Sequence, residues 1–125
     1  MREGRMDGET RSPPYRRRLP NRRATITETI IIGNTMIAAS IGFGETGTPQ
    51  EIFLSGAKDG SGMAAILEDA SVVISVALQH GISAAVLAKS IARIPESLEG
   101  AAVKPASPIG AALDLLVDFE ASKNG

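Results

Sequence analysis

The chain has no cysteine and no tryptophan, and its 125 residues include one tyrosine, one histidine and three phenylalanines. Without thiols, disulfides, thiolate metal sites, thiyl-radical chemistry and cysteine nucleophiles are excluded within this chain. The lone His80 cannot build a zinc site without several carboxylates beside it, so neither metal nor cofactor is expected. Scarce aromatics remove the stacking platforms of single-strand nucleic-acid binders and make the core aliphatic. No apolar run reaches the roughly 18 residues of a membrane span, and no apolar region follows the charged N-terminus. Neither a transmembrane helix nor a signal peptide is expected, and the location that follows is cytoplasmic, away from membranes. What the chain does have is 43% hydrophobic residues, ample for the core of a single domain.

The net charge of −1 hides an asymmetry. Residues 1–23 carry eight arginines against three acids, a net of +5, while the remainder carries five Lys or Arg against eleven acids, a net of −6. A basic arm therefore precedes an acidic body. Residues 1–21 are polar, contain Pro13, Pro14 and Pro20, and show neither period 2 nor period 3.6, so they are expected to be disordered. The arm's focus is Arg16, Arg17, Arg18, Arg22 and Arg23. Such a cluster suits phosphates or an acidic partner, nucleic acid included, or it can fold back onto the chain's own acidic body.

Residues 22–121 are the expected folded domain, with residues 122–125 a frayed tail. Thr25–Ile32 is β-branched almost throughout and reads as a strand. Gly33-Asn34 signals a two-residue turn into a second strand ending near Phe43, and Gln50–Ser55 reads as a third. Short turns between successive strands give an antiparallel meander with one apolar face. Gly42-Phe43-Gly44-Glu45-Thr46-Gly47 spells the dinucleotide fingerprint, but a strand follows it where a helix N-terminus is needed, so it reads as a turn.

Gly60 to Gly81 reads as one central helix of about five turns, capped by Ser61 and ended by Gly81. Met63, Ile66, Leu67, Ala70, Val73, Ile74, Ala77 and Leu78 share a broad face that is expected to be core. Ala65, Val72 and Val76 form a second, narrow apolar line among Glu68, Asp69, Ser75 and Gln79. Two apolar sides call for two partners, a sheet on one and either a helix or a second subunit on the other. Self-association as a dimer through Ala65, Asp69, Val72 and Val76 is the expectation. At the helix entry, Lys58, Gly60, Ser61 and Gly62 offer a cation and backbone N–H groups to an anion such as a nucleotide, but a flexible turn with a serine cap is the favoured reading of them.

Ser83 caps a second helix extending towards Arg93 and stopped by Pro95; residues 96–106 read as a loop; and Ser107-Pro108 opens a third helix, Ile109 to about Ala121. The fold class is α+β: a three-stranded antiparallel meander packed on a long central helix with two further helices, in the order βββααα. No catalytic constellation emerges. His80 sits in a last helical turn, and Glu68 and Asp69 diverge by about 100° around their helix.

Glu51-Ile52-Phe53-Leu54, Gly56-Ala57-Lys58-Asp59-Gly60-Ser61, Ala77-Leu78-Gln79-His80-Gly81 and Ser107-Pro108-Ile109-Gly110-Ala111-Ala112-Leu113, in this order and spacing, resemble the TSCPD domain. The similarity covers roughly residues 16–120 and includes the Arg-Arg-Arg-Leu-Pro-Asn-Arg-Arg entry of the family's stand-alone members. The domain also ends adenosylcobalamin-dependent ribonucleotide reductases. Of the family's naming run Thr-Ser-Cys-Pro-Asp this chain keeps Ser107-Pro108. The resemblance implies an accessory or regulatory domain linked to ribonucleotide reduction, binding a protein partner such as a reductase, or a nucleotide. It does not imply catalysis by this chain alone, since reducing a ribonucleotide takes a radical-bearing cysteine, a reducing cysteine pair and a barrel several times this size. A nucleic-acid-associated protein acting through its arginine arm is the alternative.

Overall fold

A computed structural model describes residues 24–57, 60–97, 100 and 102–124. Three strands, β1 (Thr25–Ile32), β2 (Thr35–Phe43) and β3 (Pro49–Ser55), form an antiparallel sheet in the order β1-β2-β3. The β-branched run of β1 turns at Gly33-Asn34, with Gly33 at φ 59, and pairs Ile32 with Thr35 and Ile30 with Ile37. The glycine-rich segment after β2 is the expected turn: the Gly44 N–H donates to the Thr48 carbonyl at 2.9 Å, and the register shifts at Gly42/Phe43.

After the sheet come α1 (Gly62–Gln79) and α2 (Ala84–Ala88), then β4 (Arg93–Pro95) and β5 (Val103–Pro105), which pair as a small hairpin, and α3 (Pro108–Asn124). The architecture is α+β, a three-stranded antiparallel sheet followed by a long helix and further helices. Two expectations need correction. The second helix stops at Ala88, five residues short of Arg93, and the segment expected to be a loop carries the β4–β5 hairpin. Isolated helices this short are marginal, and α2 is instead held by α3: the Glu120 carboxylate accepts from Ala84 and Ala85 N–H at 2.6 and 3.3 Å while Ser83 Oγ accepts from Val86 N–H. Arg93 in β4 makes a two-pronged pair with Asp114 in α3, both contacts at 2.9 Å, which fastens the hairpin to that helix.

One core lies between the apolar face of the sheet and the helices. Ile30, Ile37, Ala39, Ile41, Ile52 and Leu54 point into it from the strands, and Leu67, Ile74, Leu78, Ala112, Leu113 and Leu116 from α1 and α3. Phe43 meets Phe119 edge to face, with ring centroids 5.5 Å apart. Ser107 caps α3 as its sequence predicts, accepting from the Gly110 N–H at 3.0 Å, and the helix continues past Ala121. The first turn of α3 can sit close to Ile91 and Pro105 because Gly110 has no side chain; a Cβ there would lie 3.1 and 3.2 Å from them.

Candidate functional site

The features that set this chain apart from a plain sheet-and-helix packing lie on α1. Its ends are as the sequence signals: Ser61 Oγ accepts from the Ala64 N–H at 3.1 Å, Gly81 sits at φ 91, and the Ile82 N–H returns to the Ala77 carbonyl at 3.0 Å. Its orientation is not. Met63, Ile66 and Val73, expected in the core, are 42%, 53% and 67% exposed, whereas Ser75 and Gln79, expected outside, are buried together with Ser71.

The reason is the edge of the sheet. In β3, every second residue turns its backbone N–H and C=O away from β2, and in an uncovered sheet those groups would be open to another strand. Here α1 runs alongside and closes them with side chains. Ser71 Oγ accepts from the Leu54 N–H at 2.9 Å; Ser75 Oγ accepts from the Ile52 N–H at 2.9 Å and donates to the Ile52 carbonyl at 3.1 Å; Gln79 Nε2 donates to the Gln50 carbonyl at 3.1 Å. Four helical residues rise about 6 Å, and two strand residues about 6.8 Å. Polar residues at i, i+4 and i+8 of the helix therefore stay in step with alternate residues of the strand. Sequence reasoning on apolar periodicity misses this ladder. Its signal is a serine, serine, glutamine series at spacing four inside an otherwise aliphatic helix that follows an edge strand.

Ser71, Ser75 and Gln79 turn to β3, Leu67, Ile74 and Leu78 to the core with Ala70 partly buried against it, and the exposed residues of α1 face outward. Val72 is 62% exposed and joins Ala65, Ile66 and Val73 on a mostly aliphatic surface broken by Asp69. The third helix does not cover it; α3 packs on the sheet and α2. By length and composition α1 would pass for a membrane span, with a mean hydropathy of 1.4. Its Glu68-Asp69 pair and its commitment to β3 instead make it the cover of a sheet edge.

Between α1 and the outer, threonine-rich face of the sheet runs a groove of about 560 Å³. Thr25, Ser40 and Phe53 line it from the strands, and Glu68, Asp69, Val72 and Val76 from the helix. Glu51 also faces it, its carboxylate lying over Gly42, where a Cβ would come within 2.6 Å of Oε2. The residues proposed for a dimer are thus divided: Val76 is half-buried beside the groove, and Ala65 and Val72 are exposed.

Of the anion-site residues, Gly60, Ser61 and Gly62 stand at the start of α1, with Gly60 at φ 78, and Lys58 lies outside the described residues. A cavity of about 90 Å³ beside them includes Glu68 in its lining. Arg16, Arg17, Arg18, Arg22 and Arg23 also lie outside the described residues. His80 closes the last turn of α1, its Nδ1 2.9 Å from the Val76 carbonyl oxygen. Ser61, Ser83 and Ser107 are all helix caps, as expected. Among the described residues, no three of His, Asp and Glu converge on a point that could hold a metal. The Arg93 hydrogen bonds hold the Asp114 carboxyl below the usual carboxylate range, against a smaller opposing effect of burial, and Asp114 raises Arg93 in turn.

The chain is 32% identical over 69 residues to a vitamin B12-dependent ribonucleotide reductase of Rhodopirellula baltica. That stretch is 55% of this chain and 7% of the reductase, so the similarity concerns one small part of a much longer protein. No solved structure matches the chain. The TSCPD domain matches residues 12–116, which takes in all three strands of the large sheet, α1, α2, the small hairpin and the first half of α3. With a match of that extent over this succession of elements, the chain belongs to the TSCPD domain family.

Proposed function

We propose that this protein is a non-catalytic accessory component of ribonucleotide reduction that acts by docking on a protein partner, a vitamin B12-dependent ribonucleotide reductase. The observation that carries this reading is the outward face of α1, where Met63, Ile66 and Val73 stand exposed on a helix already anchored on its other sides. Exposed aliphatic surface of this kind is characteristic of protein contact. In the relative, the similar stretch is a small part of the reductase chain itself, and that reductase supplies the partner class proposed here. A nucleotide is the weaker ligand for this geometry, because Ser61 Oγ already caps α1 and the cavity beside it is small.

The test is a binding titration between the purified full chain and a purified B12-dependent reductase from the same organism. Ile66→Glu with Val73→Glu should weaken binding by at least about tenfold, a loss on the order of 1.4 kcal/mol. The urea midpoint should stay put, because neither side chain is in the core. Absence of binding by the parent chain overturns the reading. Light scattering covers the dimer: a parent dimer that dissociates on Val73→Glu would assign the face to a second copy of this chain.

A further inference from the structure

The large sheet has two long edges, and the fold treats them differently. Along β3 the outward N–H and C=O groups meet Ser71, Ser75 and Gln79. Along β1 the pairing with β2 fixes which groups face out. Ile32 and Thr35 close a two-residue turn, Ile30 pairs with Ile37, and the Phe43 N–H donates to the Ala24 carbonyl, so the even-numbered residues of β1 are the ones bonded to β2. Thr25, Thr27, Thr29 and Ile31 therefore turn their backbone groups away from the sheet, and among the described residues no hydrogen bond reaches those groups. Exposure agrees with this: of the residues of β1 Ile30 alone is buried, and Thr25 to Thr29 are exposed whichever face they occupy. The strand has neither proline nor lysine and pairs with β2 without a bulge, the one register shift of the sheet lying between β2 and β3. Those are the features that ordinarily blunt an open edge, and a regular β-branched strand without them is a template for another strand.

We propose that the strand on this edge is β1 of a second copy of the chain, paired antiparallel about a twofold axis at Thr29, so that two three-stranded sheets join into one. A twofold pairing needs this one edge and no other. Glu28, the sole charge in β1, selects the register. An axis at Glu28 would set the two Glu28 residues directly opposite, their Cα atoms about 4.5 Å apart, which like charges oppose. An axis one residue further on, at Thr29, pairs Thr29 with the second copy's Thr29 and Thr27 with its Ile31, a ladder of about six hydrogen bonds within the described strand. Glu28 then stands opposite the second copy's Ile30 and no two charges oppose each other. Ile31, 68% exposed, comes to lie against the second copy's Thr27, and Ile26, 37% exposed, against its Ile32. A ladder of this length buries on the order of 1,000 Å² in total, the lower end for a specific interface, so the dimer should assemble in the micromolar range. Both copies of α1 lie on the far edges of the joined sheet, which keeps this contact separate from the face at Ile66 and Val73.

Sedimentation velocity on the full chain tests this: between about 1 and 200 μM the parent should pass from monomer to dimer. Thr29→Pro removes an outward N–H that β2 does not use, so the variant should fold and stay monomeric at the upper concentration. Val73→Glu, on α1, should leave the dimer intact. Because the chain has no cysteine, single introduced thiols report the register. The two Thr29 Cα atoms lie about 5.5 Å apart across the axis, within disulfide reach, whereas the two Thr27 residues are offset by four strand positions, about 13 Å. With oxidised glutathione as the oxidant, Thr29→Cys should form a covalent dimer at least about tenfold faster than Thr27→Cys. A parent that is monomeric throughout overturns the proposal, as does a dimer that survives Thr29→Pro or dissociates on Val73→Glu. Cross-linking through position 27 as fast as through position 29 overturns it too, and this comparison stands even if the proline variant fails to fold.

Discussion

Replacing Ser75 with alanine removes the hydroxyl that serves both the N–H and the C=O of Ile52. Ile52 is 3% exposed and Ser75 9%, so the two backbone groups are left in a nearly dry seam between β3 and α1. A buried backbone group without a partner costs about 1–3 kcal/mol. Two such groups, with some relief from water entering along the seam, set the expected loss at about 3 kcal/mol, a quarter or more of a typical domain's stability. Ser71→Ala should cost about half as much, because only the Leu54 N–H loses its partner; the Leu67 carbonyl, to which Ser71 Oγ donates at 2.7 Å, also has its place in the helical ladder. Val72→Ala, between them in sequence but facing out, should stay within about 0.5 kcal/mol. Urea unfolding of the three variants gives the values, and amide exchange at Ile52, protected in the parent and fast in Ser75→Ala, locates the effect. A Ser75→Ala cost under about 0.5 kcal/mol, or a Ser71→Ala cost above that of Ser75→Ala, would refute the account of α1 as a side-chain ladder on the sheet edge.

Gly56 sits at φ 114, where an added Cβ would lie 3.1 Å from both Ile37 Cα and Met36 O, so Gly56→Ala should lower stability by about 2 kcal/mol. Thermal unfolding checks it, and an unchanged melting temperature would contradict the backbone assignment there. Glu120→Ala should release the first turn of α2, at a cost of about 1–2 kcal/mol, read as faster amide exchange at Ala84 and Ala85 with the sheet unaffected. The Asp114 carboxyl, lowered by its hydrogen bonds from Arg93, stabilises the fold above its unfolded value near 3.9 and loses that contribution as pH falls through the lower folded value. Asp114→Asn should therefore reduce the drop in urea midpoint between about pH 4 and 2, by a small amount because both side chains are a third exposed.

What the sequence discloses and what it withholds divide along physical lines. The three strands, both tight turns and the serine caps of α1, α2 and α3 are legible because each depends on residues adjacent in the chain. The facing of α1 is not, because apolar periodicity assumes that a helix buries its hydrophobic residues. Here three buried positions are polar, and their partners in β3 are 17 to 29 residues away. The small hairpin hides for the opposite reason. Each strand has three residues and ends on a proline, Pro95 and Pro105, which reads as a breaker unless the partner strand is known. The arginine cluster declares its charge in sequence, but whether it meets phosphate, a partner or its own body depends on where the acids lie once folded. Glu51, Glu68 and Asp69 are separated along the chain and come together only on the two walls of one groove.

The ladder also bears on why α1 leaves aliphatic side chains exposed. A helix held to a sheet only by apolar burial must spend its aliphatic residues on that contact, and substituting them costs stability. In α1 a large part of the attachment is made by Ser71, Ser75 and Gln79. Leu67, Ile74 and Leu78 suffice for the core, so Met63, Ile66 and Val73 are not needed to hold the helix down. Apolar side chains that contribute little to folding yet remain in water carry a solubility penalty unless something covers them. Among the described residues nothing covers the Ile66–Val73 flank, which is the surface that the proposed docking would use.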